Sequence, residues 1–386
     1  MSRHVSQAFA LRAAALLVVT ALAGGASAAV PTEPETANVA TLASPSPKWF
    51  YVRGGWDTAG TQIVDSATGK MVGMVDTSRS SDMAVDPAGR FYYVSETIWS
   101  KGNRGTRQDM LSIYDANSLK LQTEVSFPGR LIIGAQVNNF ALSPDGKSAY
   151  IFNLTPAASV NIVDLVKRKF SRNVELPGCA GLMPIAEGLV SVCSDGSLAS
   201  LNLTGKGEIT RSAPFFSPTS DPVFDAFNYS VKRKEAVFLS YTGLIYTAKI
   251  GLKPEVAAPF SIQAAAGLRP GDTKPLDVNW LPGGRQLTAW HHASNHLYVL
   301  MHMGEFWTQK EAGEEIWDVD LSAKKVVRRF PLEEHIDNIE VTQGDQPKLF
   351  INTGKNDGFI LDLATWTLGP KIGQIGGGVI ATLEAP

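Results

Sequence analysis

Hydrophobic residues in this chain recur in short runs that are typical of β-strands. Each run is rich in aromatic or β-branched residues and is bounded by Gly, Pro, Asn or Asp, and helical periodicity is nearly absent after residue 28. Such a pattern predicts an all-β protein whose strands are joined by tight turns. The clearest runs are Phe50–Val52, Phe91–Val94, Ala149–Phe152, Ala236–Tyr241, His296–Met301 and Lys348–Ile351.

A second pattern, a strand followed by a polar turn and a polar outgoing strand, repeats along the chain. It is clearest in QIVDSATGKMVG, SIYDANSLKLQT and WDVDLSAKKVVR, which begin at residues 62, 112 and 317. Five of the seven turn positions carry Asp, a residue whose side chain bonds to its own turn backbone. The seven positions are Asp65, Asp115, Asp164, Asn202, Lys249, Asp320 and Asp362.

A repeat of about 40 to 50 residues with four short strands is the signature of a propeller blade. We therefore predict a closed seven-bladed β-propeller with four-stranded blades over residues 48–386, since closure leaves no long exposed sheet edge. The interval from Lys249 to Asp320 spans 71 residues. We expect an insertion in this interval, at the Pro- and Gly-rich segment Gly267–Gly284.

The first 28 residues have the layout of a secretory signal peptide. Arg3 and Arg12 both precede the apolar run Ala13–Ala23, and residues 26–28 form an A-x-A cleavage site. The run is shorter than the ~20 residues that a membrane-spanning helix needs, and no later stretch is apolar enough to anchor the chain. We therefore expect export, cleavage near residue 28, no membrane anchor, and an N-terminal arm over residues 29–47.

Charge and cysteine content narrow the class of protein. Lys and Arg total 35 against 37 Asp and Glu, a net charge of -2, and no basic stripe is present. This balance argues against nucleic acid as a partner. Cys179 and Cys193 lie 14 residues apart, and in an exported chain we expect them to form a disulfide. A metal pair is the weaker alternative, because the segment between them offers only Glu187 as a further ligand.

Candidate catalytic groups are sparse. Four histidines lie close in sequence, but neither Cys nor paired carboxylates accompany them, so we predict no metal site. His335 and Asp337 lack the G-x-S-x-G turn that would supply a nucleophile, and we predict no catalytic residue on this chain. The four histidines are His291, His292, His296 and His302.

Two features of the sequence are candidates for contacts with a partner or a substrate. Lys101–Arg107 is the one local basic cluster, and it is either a solvated hairpin tip or a docking site for an acidic partner through Arg104 and Arg107. Among the eight tryptophans, Trp56 and Trp307 stand in loop-like settings and are the better surface candidates.

Five ordered segments carry the most specific pattern in the chain: SETIWSKGNRGTRQDMLSIYDANSLKL, FALSPDGKSAYIFNLTPAASVNIVDL, CSDGSLASLNL, NWLPGGRQLTAWHHASNHLYVL and EHIDNIEVTQGDQPKLFINT. In their order, their spacing and the accompanying cysteine pair, they resemble the heavy (large, alpha) subunit of periplasmic quinoprotein amine dehydrogenases, the methylamine dehydrogenase type most closely. The resemblance spans about residues 46–380.

The resemblance implies a propeller that assembles with a small Cys-rich light subunit, as two heavy and two light chains. It implies that the cofactor, tryptophan tryptophylquinone, forms from two tryptophans of the light chain, so that this chain carries no cofactor. The implied reaction converts a primary amine, methylamine first, to an aldehyde and ammonia. Electrons then pass to a blue copper protein of the amicyanin or azurin kind or to a cytochrome c.

A heavy-chain Phe gates the substrate channel in the methylamine enzymes, within a stretch that matches Gly54–Asp65. Here Trp56 is the nearest aromatic residue, and it fits either a small amine or, in a shifted register, an aromatic amine. The heavy subunit of an aromatic amine dehydrogenase is therefore an alternative. Two others are a stand-alone secreted metallohydrolase of the propeller lactonase kind and a binding propeller without an enzymatic partner.

Overall fold

The structure is a computed structural model of the chain. It describes residues 41–55, 58, 60–79, 81–102, 104–129, 137–205 and 207–384. These residues fall in one compact unit, Ala40–Pro386. The predicted signal peptide, residues 29–40 of the predicted arm, and Trp56 lie outside the described residues.

Seven antiparallel sheets, numbered here as blades 1 to 7 along the chain, make up the described residues. Blade 1 contains β1 (Trp49–Arg53), β2 (Thr61–Asp65), β3 (Met71–Val75) and β30 (Ile380–Thr382). Blade 2 contains β4 (Ser81–Val85), β5 (Phe91–Trp99), β6 (Arg107–Asp115) and β7 (Leu121–Ser126). Blade 3 contains β8 (Phe140–Leu142), β9 (Ser148–Asn153), β10 (Ser159–Asp164) and β11 (Lys169–Glu175).

The remaining blades follow the same plan, and blades 5 and 6 each carry one additional strand. Blade 4 contains β12 (Cys179–Ile185), β13 (Gly188–Cys193), β14 (Leu198–Asn202) and β15 (Glu208–Arg211). Blade 5 contains β16 (Asn228–Ser230), β17 (Glu235–Leu239), β18 (Leu244–Lys249), β19 (Glu255–Val256) and β20 (Phe260–Ser261), followed by the short helix α1 (Ile262–Ala265). Blade 6 contains β21 (Asn279–Pro282), β22 (Thr288–His291), β23 (His296–Gly304), β24 (Gly313–Asp320) and β25 (Lys325–Ile336). Blade 7 contains β26 (Asn338–Val341), β27 (Lys348–Asn352), β28 (Gly358–Asp362) and β29 (Thr367–Leu368).

Strands from opposite ends of the chain close the ring. β30 pairs with β1, so that Phe50 lies opposite Thr382. The side chain of Gln286 strengthens this closure, because its Nε2 donates to the Ile380 carbonyl and its Oε1 accepts from the Ile380 amide, each at 2.8 Å. The predicted all-β fold, a seven-bladed propeller with four-stranded blades, is confirmed.

The seven predicted turn positions share one place in the blade. Each is the last residue of the third strand, counted from the ring centre. Asp115 shows why the position favours Asp: its Oδ1 accepts hydrogen bonds from the amides of Asn117 and Ser118 at 3.2 and 2.8 Å. Asn202 accepts from the Thr204 amide in the same way, at 3.0 Å. Lys249, which has no acceptor oxygen, also ends its strand at this place.

The interval from Lys249 to Asp320 holds the expected insertion, which covers the first part of Gly267–Gly284 but begins before it. β20 and α1 come first, and residues 266–278 lead to β21. β21 and β22 both pair with β23. The last residues of the predicted insertion therefore belong to a blade, because β21 is one of the inner strands of blade 6.

Burial falls from the middle of each blade to its outer edge. In blade 3, β9 and β10 are almost wholly buried, whereas β11 is mainly exposed. Neighbouring blades cover both faces of the middle strands, which explains their continuous apolar runs and the polar outgoing strands that follow. Within the part of the chain that the structure describes, no helix is long and apolar enough to cross a membrane.

The described end of the predicted arm is fastened to blade 2. The Leu42 amide donates to the Asn117 carbonyl at 2.8 Å, and Asn117 Nδ2 donates back to the Leu42 carbonyl at 2.8 Å. Leu42 also packs on the apolar cluster between blades 1 and 2. The first strand begins directly after this segment, at Trp49.

Candidate functional site

The predicted partner contacts lie in loops that open on one face of the ring. In an antiparallel blade, the loop between the second and third strands leaves at one end, and turns such as the one after Asp115 leave at the other. Arg104 lies in the second-to-third loop of blade 2, and Trp307 in that of blade 6. The same loop of blade 1 spans residues 54–60, where the sequence places Trp56. We call this side of the ring the loop face.

The two arginines of the basic loop have different surroundings. Arg107 opens β6, and its Nε pairs with Asp109 Oδ2 at 2.7 Å. Asp109 is buried and also accepts from Thr97 Oγ1 at 2.7 Å, so Arg107 is held within the blade. Arg104 lies at the exposed hairpin tip, where its carbonyl accepts from the Lys101 amide at 3.0 Å.

Trp307 is presented by a loop with several internal supports. Its side chain is 56% exposed, and its backbone has a φ of 77°, which is rare for a residue other than glycine. Behind it, buried His302 Nε2 donates to Thr308 Oγ1 at 2.7 Å, and that hydroxyl donates to the Glu305 carbonyl at 2.6 Å. Burial lowers the pKa of His302, which favours the neutral ring that this arrangement uses. Strained backbone of this kind tends to occur at functional positions.

Further exposed apolar side chains lie on the loop face of blade 6. Leu276 is 85% exposed and has a φ of 61°, and its amide donates to Glu305 Oε2 at 3.3 Å. Val278, which precedes β21, and Met303, near the end of the paired strand β23, are also exposed. Sequence reasoning missed Leu276, although it lies within the predicted insertion. We call Leu276, Val278, Met303 and Trp307 the apolar patch.

A cavity of about 270 Å³ occupies the centre of the ring. Residues of the innermost strands of blades 1, 2, 3, 5, 6 and 7 line it. Two of its acids have basic partners: Asp82 lies 3.3 Å from Arg53 Nη1, and Glu384 lies 3.0 Å from His292 Nδ1. Glu340 is the third acid, and the sequence offered no sign of it.

The four clustered histidines do not converge. His291 Nδ1 bonds to Ser294 Oγ at 2.7 Å, and His296 Nδ1 bonds to Asp318 Oδ1 at 2.6 Å. His292 and His302 have the separate partners given above. Among the described residues, no group of three or more His, Cys, Asp or Glu side chains is arranged to hold a metal ion.

The predicted disulfide is present. Cys179 and Cys193 are bonded, and they lie directly opposite each other on β12 and β13 with their Cα atoms 3.9 Å apart. The bridge therefore joins the first two strands of blade 4. It lies within a single blade and does not hold the ring closed.

The chain has relatives of known name. A family profile described as "Methylamine dehydrogenase heavy chain (MADH)" matches residues 50–384. The methylamine dehydrogenase heavy chain of Methylobacillus flagellatus is 30% identical over 298 residues, 76% of this chain and 72% of that protein. The protein of the same name from Methylophilus methylotrophus is 28% identical over 305 residues, 76% of this chain and 71% of that protein.

Solved structures resemble the chain at lower identity. The β-propeller domain of Myceliophteria thermophila Cps50 (Swd1) matches 81% of this chain and 95% of its own, with a TM-score of 0.52 and 12% sequence identity. At this identity the likeness shows the fold alone.

Proposed function

The chain belongs to the methylamine dehydrogenase heavy chain family and is the heavy subunit of an amine dehydrogenase, and we propose that its complex oxidises a short primary amine, with methylamine as the first candidate. The observation that carries this proposal is the family match over residues 50–384, which span the closed propeller. The proposed reaction yields an aldehyde and ammonia. An aromatic amine remains the alternative substrate.

We assign the redox centre, tryptophan tryptophylquinone, to the light chain. Two tryptophans of this chain support the assignment of the cofactor to the light chain. Trp280 and Trp317 have ring centroids 5.8 Å apart and pack in blade 6 with the Arg329 guanidinium over both rings, an arrangement that stabilises a core. In the light chain, the quinone would supply the electron sink for amine oxidation. No residue of this chain is assigned a catalytic role.

We assign the light-chain contact to the loop face. The apolar patch supports this choice, because large exposed apolar groups on a rigid loop are typical of protein interfaces. Arg104 adds an exposed donor for an acidic group on the same face. Arg107 is proposed to act indirectly, since its ion pair with Asp109 shapes the hairpin that carries Arg104.

We propose that the loop of residues 54–60 borders the substrate channel through Trp56. Among the described residues of this loop, the Gly54 amide donates to the Gly60 carbonyl at 2.8 Å and so joins the two ends of the loop. A Cβ at Gly54 would collide with the Thr58 carbonyl oxygen, so the loop needs glycine there. Trp56→Ala and Trp56→Phe are expected to change the preference among amines while leaving assembly with the light chain intact.

Export, assembly and electron transfer complete the proposal. The chain is proposed to reach the periplasm, to lose its signal peptide near residue 28, and to form a tetramer of two heavy and two light chains. The electron acceptor is proposed to be a blue copper protein or a cytochrome c. N-terminal sequencing of the exported chain tests export and cleavage, and the mass of the purified complex tests the assembly.

Dye reduction by the co-expressed complex tests the reaction. A panel of methylamine, longer alkylamines and aromatic amines is offered, and the highest kcat/KM is expected for a short alkylamine. The highest value for an aromatic amine would favour the alternative substrate. A complex that reduces the dye with none of these amines would contradict the proposed reaction.

A further inference from the structure

The central cavity contains an acid without a basic partner. Glu340, on β26, accepts hydrogen bonds from Gln286 Nε2 at 2.8 Å and from the Val341 amide at 2.9 Å. Among the described residues, no Lys, Arg or His forms an ion pair with it. We propose that this cavity is a binding site for a small organic cation with a primary ammonium group, and that Glu340 is its counter-ion.

The energetics of the isolated acid support a cationic ligand. An ionised carboxylate removed from water is costly unless a positive group compensates it. Burial raises the pKa of Glu340 to about 8, even though both of its hydrogen bonds favour the ionised form. At neutral pH the empty site therefore keeps a proton on Glu340. A bound ammonium group would provide the missing positive charge and release that proton.

A second unused acceptor lines the same cavity. Asn228 Oδ1 is buried and has no hydrogen-bond partner among the described residues, while Asn228 Nδ2 contacts the Thr288 carbonyl at 3.4 Å. A primary ammonium group has three N–H donors. Glu340 therefore offers an acceptor to a ligand that is rich in donors, and a rotation of the Asn228 side chain would add a second one. Among the described residues, the other two acids of the cavity already have basic partners.

The size and lining of the cavity favour an alkylammonium ion over a bare metal ion. A cavity of about 270 Å³ is many times larger than one water molecule needs, so it has room for a short alkyl chain as well as the charged group. Tyr51, Tyr229 and Trp290 contribute aromatic lining, which suits a cation with an apolar tail. The described residues place no three metal ligands together there.

The proposal predicts a link between binding and pH. Because Glu340 must lose its proton, affinity should rise about tenfold per pH unit from pH 6 towards 8 and then level off. Burial raises the pKa of Tyr51 and of Tyr229, so both stay neutral in this range. Among the described residues, the charged and titratable groups that also face the cavity are Arg53 with Asp82 and His292 with Glu384. A pH dependence of the affinity that came from His292 would persist in Glu340→Gln, whereas a pH dependence that came from Glu340 would be lost.

Calorimetric titration of the full mature chain, without the light chain, tests the proposal. The probes are n-butylammonium chloride, potassium chloride at equal ionic strength, and n-butanol as the neutral analogue. We expect saturable binding of n-butylammonium alone. At pH 8, Glu340→Gln should weaken it by about tenfold or more, and Asn228→Ala by a smaller factor.

Glu187→Gln, an exposed change in the turn between β12 and β13, should leave binding unchanged. Thermal unfolding of each variant confirms that it is folded. Equal heats for n-butylammonium and potassium, or full binding by folded Glu340→Gln, would overturn the proposal. Neither result would bear on the amine dehydrogenase activity, which is measured on the complex.

Discussion

Gln286 and Glu340 are joined by a hydrogen bond of 2.8 Å from the Gln286 amide to the Glu340 carboxylate. The same amide bonds to both backbone groups of Ile380 on the closing strand. Gln286 is only 2% exposed, so water cannot replace these bonds. One side chain therefore connects the closure of the ring to the acid in the central cavity.

Gln286→Leu is expected to weaken ring closure. The change leaves the amide and carbonyl of Ile380 without their side-chain partner, and it should lower the free energy of unfolding by about 2 to 4 kcal/mol. Urea denaturation followed by tryptophan fluorescence measures the loss. Gln122→Leu, at an exposed position of β7, is the control and should change stability by less than about 0.5 kcal/mol. Equal stability of the two variants would contradict the role of Gln286.

Glu340 should make the chain less stable as the pH rises. Its pKa is raised to about 8 in the folded chain, from an ordinary value of 4.5. The folded state therefore holds a proton that the unfolded state has lost, and the resulting stability is fully present below about pH 4.5 and disappears as pH rises through about 8. Glu340→Gln should remove this decline. Free energies of unfolding from pH 5 to 8 measure it, with Glu187→Gln as control, and a pH-independent difference between Glu340→Gln and wild type would contradict the prediction.

The disulfide should stabilise blade 4 measurably. Replacing both Cys179 and Cys193 by Ser is expected to lower the free energy of unfolding by about 3 kcal/mol, the value for a closed loop of about 15 residues. Thermal unfolding with and without reductant measures the effect. Reductant should lower the melting temperature of the wild type and leave the double variant unchanged. A melting temperature of the wild type that does not respond to full reduction would disprove the contribution.

Trp307→Ala should weaken light-chain binding without destabilising the heavy chain. The residue is more than half exposed, and the substitution removes its ring contacts with Tyr241 and Phe306 on the surface. A buried interface Trp, in contrast, often contributes about 2 kcal/mol or more to binding. Affinity for the light chain and the melting temperature of the heavy chain are measured together. Val166→Ala, in the exposed turn on the opposite face, is the control. Equal light-chain affinity of the two variants would exclude Trp307 from the interface.

The blade count could be predicted because each blade repeats the same local chemistry. Asp115 and Asn202 mark their turns through bonds to residues two or three positions ahead, a signal that is visible in sequence. Lys249 has no such bond, and it was identified as a turn position only from the spacing of the other turn positions. The boundaries of blade 6 were harder, since β21 lies in a segment whose prolines and glycines suggested a loop.

The central cavity could not be predicted because its residues meet only when the ring closes. Glu340 lies between apolar residues in Asn338–Val341 and looks like an ordinary strand residue. Its partner Gln286 is 54 positions away, and Gln286 is 94 positions from Ile380. Spacing along a chain does not show which of these distant residues become neighbours. The apolar patch was partly visible, through Trp307, whereas Leu276 depends on the backbone conformation of its loop.

Co-expression of this chain with the Cys-rich light subunit of its own organism tests the central claim most directly. The two chains are purified through a tag on the heavy chain, and amine-dependent dye reduction is measured for the complex and for each chain alone. We predict that the light chain co-purifies in equal amount, that the complex absorbs as a quinoprotein, and that only the complex reduces the dye. A heavy chain that is folded but purifies without the light chain, or a complex without amine-dependent activity, would contradict the assignment.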